Sequence, residues 1–144
     1  MEKITAREFL ERYRTADRKI RMLADEIEKV EALAGGGAIS IDGQPHGKGA
    51  SDKVGSAATA AADLREKLES WIYEQENIKR EIINVLSELN DGAQLQVLRL
   101  RYMTDDTSET WINIAYVMDR SVRQVQRIHG HALLEVQRII DRMS

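Results

Sequence analysis

The chain reads as all-α, a long N-terminal antiparallel helical hairpin of coiled-coil type followed by a compact C-terminal unit of shorter helices. Three observations predict this. Two long stretches repeat apolar residues at alternating intervals of four and three, the period of a helix seam that packs against another helix. The second stretch is broken at Asn90-Asp91-Gly92, after which a shorter pattern begins. A single proline and a single phenylalanine in 144 residues leave little material for a sheet core.

The first seam is Phe9, Tyr13, Ala16, Ile20, Leu23, Ile27, Val30 and Ala34, so a helix is expected from about Ala6 to Ala34. Thr5 with Glu8 three residues on is a capping-box arrangement, and Gly35-Gly36-Gly37 supplies a terminator. Residues 35–53 hold six of the nine glycines and the only proline, Pro45, and are expected to be a mobile loop. Ser51 or Asp52 then caps a second helix whose seam is Ala57, Ala61, Leu64, Leu68, Trp71, Gln75, Ile78, Ile82, Val85 and Leu89. Gln75 is the polar interruption, either a tolerated polar layer or a register-setting contact in an oligomer. Residues 1–89 are thus read as an arm and 90–144 as a separate domain.

That domain opens with a helix carrying Leu95, Leu98 and Tyr102 on one face. The polar stretch TDDTSE offers Thr107 or Ser108 as the cap of a short helix containing Trp111, Ile114, Ala115, Val117 and Met118. A tight turn at Asp119-Arg120 leads to Ser121, the expected cap of a last helix with Val125, Ile128, Ala132, Leu133, Val136, Ile139 and Ile140 facing inward. Trp71 and Trp111 lie on apolar faces and are expected to pack in the core.

Composition excludes several functions. There is no cysteine, which removes disulfides, thiolate metal sites and cysteine nucleophiles. The charged N-terminus resembles no signal peptide and no apolar run approaches a membrane span, so a cytoplasmic, nucleoid-associated location in a bacterial host cell is expected. His129 and His131 form H-x-H, but helical residues two apart point in different directions and no further ligands accompany them, so no metal and no cofactor are expected. His46 reads as a loop residue. HGKGAS is too loose for a phosphate loop, and no enzyme activity is predicted. The net charge is −3, yet the segment from Asp119 to the end holds five arginines against three acids.

Residues 111–133, WINIAYVMDRSVRQVQRIHGHAL, carry the functional signal. A short helix, a tight turn and a serine-capped second helix make a helix-turn-helix, with Ala115 permitting a close crossing. The exposed start of the second helix then presents Arg123, Gln124, Gln126 and Arg127, residue types whose donors and acceptors match guanine and adenine edges in the major groove. Ser121, Arg120 and the free amides of the helix start suit phosphate, and His131 can approach another. The plain alternative is a solvated surface helix.

The stretch LQVLRLRYMTDDTSETWINIAYVMDRSVRQVQRIHGHALLEVQRI resembles region 4 of the bacterial sigma-70 family, which reads an upstream promoter element. With its helical arm, the whole chain is similar in layout to the phage-encoded late transcription regulators of the ArpU and RinA type. The resemblance implies base-reading roles for Arg123, Gln126 and Arg127, with Val122 beside them and Gln124 and Ser121 near the DNA backbone. It departs at Asp119, where a glycine is usual and a local side-chain bond is expected to compensate, and at Val122, which replaces a DNA-contacting arginine. No sigma region 2 precedes the motif. The expected function is a sequence-specific, double-stranded-DNA-binding transcriptional regulator, a prophage late-gene activator acting with host RNA polymerase as a homo-oligomer, with a dimer favoured. The alternatives are a small terminase-like DNA packaging protein and a structural assembly protein that keeps only the helix-turn-helix shape.

Overall fold

A computed structural model describes residues 4–36, 48–104 and 110–144, and among them five α-helices and no strand. These are α1 (Ala6–Gly36), α2 (Lys48–Leu86), α3 (Gly92–Tyr102), α4 (Trp111–Met118) and α5 (Val122–Met143). α1 and α2 form a long antiparallel hairpin, and the three shorter helices pack together at the C-terminal end of the chain. No described helix is long and apolar enough to cross a membrane.

Both seams are recovered at every position, each residue being buried or half-buried. Several boundaries differ from expectation. α1 runs two residues past Ala34, through Gly35 and Gly36. α2 starts at Lys48, so Ser51 and Asp52 lie inside a helix rather than capping it. Pro45 and His46 lie outside the described residues, as do Asp105 to Glu109. The cap of α4 is Thr110, whose hydroxyl accepts from the Asn113 amide at 3.1 Å, in place of Thr107 or Ser108. At the start of α1 only half of the capping box forms. The Glu8 amide donates to the Thr5 hydroxyl at 3.1 Å, while the Ala6 amide donates at 2.7 Å to the side-chain oxygen of Gln137, far away on α5.

The chain divides into two compact units. One comprises the chain up to Asp17 together with Gln75–Ser144. Its core draws on all five helices: Ala6, Phe9, Leu10 and Tyr13 from α1, Ile82, Val85 and Leu86 from α2, Val97, Leu98 and Tyr102 from α3, Ile114 and Ala115 from α4, and Val125, Ala132, Val136 and Ile139 from α5. Leu10, Ile82, Leu98, Ile114 and Val125 are among the fully buried side chains. Leu10 is off the heptad seam, which is how α1 contributes to this core as well as to the hairpin. Gln75 forms a polar layer with Asp17, its amide donating to the carboxylate at 3.2 Å. The domain opening at Asn90 in sequence is therefore embedded in a larger unit that includes the first turns of α1 and the last turns of α2.

The other unit is Arg18–Glu74, the remainder of the hairpin. Among its described residues only Leu23, Ile27 and Ala61 are buried, and Met22, Leu33, Ile72 and Tyr73 are exposed. Trp71 is half-buried, with the Lys19 ammonium 4.6 Å from its ring centre. Two helices alone cannot enclose such seams, because each covers only one side of the other.

Candidate nucleic-acid interface

α4 closes with a backbone reversal that aims α5 across it. Asp119 takes the left-handed conformation, φ 53° and ψ 48°, the only non-glycine residue with positive φ among those described. Its amide donates to the Tyr116 carbonyl at 3.2 Å and the Arg120 amide donates to Ala115 at 3.0 Å, tying off the last turn of α4. The expected side-chain bond from Asp119 is absent among the described residues, so these backbone bonds hold the turn. Ser121 then starts α5 with a full capping box: the Gln124 amide donates to its hydroxyl at 3.1 Å, and its own amide donates to the Gln124 side-chain oxygen at 3.0 Å. Ala115 is buried where α4 meets α5.

This geometry sorts the predicted residues. Arg120, Ser121, Arg123, Gln124, Gln126, Arg127 and His131 are all exposed, on the turn or on the outward side of α5. Val122 is half-buried and packs on the core. The oxygen of the Gln124 amide is occupied by the cap, leaving its NH2 group as the part open to a ligand. Arg120, Arg123 and Arg127 form no ion pair among the described residues, whereas Arg138 is paired with Glu135 and Arg142 with Glu88 at the far end of the helix. Among the described residues, charge is thus left unpaired at the start of α5 and paired at its end. An open cleft of about 760 Å³ at the turn is bordered by Tyr116, Asp119, Arg120, Ser121 and Gln124.

Beneath this face, His129 fixes α5 to the other helices. It is 7% exposed, its Nε2 is 2.7 Å from the Tyr102 hydroxyl of α3, its ring stacks on Tyr102, and the Trp111 ring of α4 meets it edge-on at 4.9 Å. Burial, reinforced by the Arg7 and Arg101 cations, lowers its pKa to about 4, and burial raises that of Tyr102. Trp111 is half-buried, and the Arg101 guanidinium covers its ring at 4.3 Å. No helical period in the sequence links Tyr102, Trp111 and His129, which lie on three different helices. Tyr116 is a further residue that sequence reasoning passed over: it is 87% exposed on α4 beside the turn.

Comparison with protein-family profiles, with curated proteins and with solved structures returns no match.

Proposed function

We propose that the chain is a sequence-specific double-stranded-DNA-binding regulator of transcription, a prophage late-gene activator that works with host RNA polymerase. One observation carries this reading: Arg123, Gln126 and Arg127 stand exposed on the first turns of α5, without ion pairs among the described residues, on a helix held against the core from its other side. Arg and Gln at such positions read guanine and adenine through paired hydrogen bonds. Arg120 and the Ser121 hydroxyl, which still has its proton to donate, serve the phosphates on either side.

One such head neutralises about two to four phosphates, too few for tight binding at physiological salt. Pairing two heads makes the second engagement intramolecular and raises occupancy without a new kind of contact. The incompletely covered hairpin seams and the exposed Met22, Leu33 and Tyr73 favour a dimer formed through the hairpin. Selection from a pool of random duplexes tests both parts. The expected outcome is an enriched site made of two short half-sites, with centres about 10 base pairs or a multiple of that apart. A pool that stays random contradicts DNA reading, and a single isolated half-site contradicts the pairing.

A further inference from the structure

Gly130 sits in the middle of α5, where glycine is the least favourable helix residue after proline. Usually such a glycine is explained by a left-handed backbone or by a neighbour too close for a side chain. Neither applies. The residue is in regular helix, far from either end, and a Cβ built on it would meet nothing within 4 Å. Among the described residues, nothing requires the bare backbone.

Its surroundings point outward. Arg123, Arg127, Gly130 and Leu134 follow one another at intervals of four, three and four, so they form a single stripe along α5, all exposed, with His131 at its edge. Leu134, an apolar side chain on the face opposite the core, is 59% exposed. From Arg123 to Gly130 the helix rises about 10 Å, and a major groove is about 12 Å wide. A helix that places Arg123 and Arg127 on base edges therefore meets the flanking DNA strand about two turns further along, at Gly130.

We infer that Gly130 is a contact point for the sugar-phosphate strand of duplex DNA, its missing side chain letting the strand lie against the helix backbone. Leu134 then packs on a sugar and His131 lies beside a phosphate. The inference rests on the DNA-reading function proposed above, and it adds a contact that positions the helix without distinguishing bases. A strand contact of this kind is shared by every duplex, unlike the base contact of Arg127.

The test is Gly130→Ala and Gly130→Leu in the full-length protein, with thermal unfolding measured alongside binding to the selected duplex and to a random duplex. Gly130→Ala should raise the melting temperature by a few degrees, since a better helix former enters open space. It should nevertheless weaken binding to both duplexes by a similar factor, with Gly130→Leu weaker still. Discrimination between the duplexes should survive. Wild-type affinity in both variants overturns the inference while leaving the DNA-reading function intact, as does a loss confined to the selected duplex. Failure of the wild-type protein to bind any duplex overturns both.

Discussion

A fragment beginning at Asn90 is expected not to fold. It contains the whole helix-turn-helix, but it lacks Phe9, Leu10, Tyr13, Ile82, Val85 and Leu86, which share one core with the buried residues of α3, α4 and α5. Truncating one large core side chain typically costs about 2–5 kcal/mol, and a domain of this size has only about 5–15 kcal/mol in all. Removing six at once, about 12–30 kcal/mol, matches or exceeds the total. A shortened chain that keeps these residues serves as the positive control. Gln75 and Asp17 are hydrogen-bonded at 3.2 Å, so a short glycine-serine link from Asp17 to Gln75 can replace residues 18–74 without pulling the core apart. That shortened chain should be helical and melt cooperatively, while the Asn90 fragment should show neither property in circular dichroism. A cooperative melt from the Asn90 fragment would mean that the hairpin residues are not part of the core.

Acid should destabilise the molecule through His129. Its folded pKa of about 4 lies below the ordinary value of 6.5, so on lowering the pH the unfolded chain takes up the proton first. The sign follows: stability is independent of this group above about pH 7, falls as the pH drops from 6.5 towards 4, and levels off below that. Each pKa unit corresponds to about 1.4 kcal/mol, so the full loss is of order 3 kcal/mol. The groups facing the imidazole are the Tyr102 hydroxyl and the Arg7 and Arg101 cations, and burial moves the Tyr102 hydroxyl up, away from this window. His129→Gln keeps a hydrogen-bonding partner for the Tyr102 hydroxyl but cannot titrate. Urea unfolding at pH 7.5 and pH 4.5 should therefore show a larger loss for the wild-type protein than for His129→Gln. Equal losses would place the acid sensitivity in the carboxylates instead.

Much of this architecture was legible because it is written in local periodicity. The two seams, the break at Asn90-Asp91-Gly92, the reversal at Asp119-Arg120 and the Ser121 cap each depend on residues within a turn or two of one another. What escaped depends on residues distant in sequence. Leu10 stands beside the seam residue Phe9, and only the arrival of α3 to α5 around it makes it core. Gln137 caps α1 from the opposite end of the chain. His129 is polar in a pattern of apolar residues, and its burial makes sense only once Tyr102 and Trp111 are seen around it. Helix starts were also misplaced where several capping residues compete: Thr107, Ser108 and Thr110 have similar capping chemistry, and Thr110 stands immediately before Trp111. At the candidate interface, the exposed residue types were readable, whereas the partial burial of Val122 and the commitment of the Gln124 oxygen to the cap needed the folded geometry.

In the proposed function, the exposed start of α5 reads bases. Arg127 is the residue on which that role turns, since it is exposed, unpaired among the described residues and remote from the core. Competition binding of Arg127→Ala on the selected duplex against random duplex measures its role directly, with circular dichroism to confirm unchanged helix content. Loss of a bidentate base contact should cost on the order of 1–3 kcal/mol on the selected duplex, with a much smaller loss on random DNA, so that discrimination collapses. If Arg127→Ala discriminates between the two duplexes as well as the wild-type protein does, α5 does not read DNA through this face.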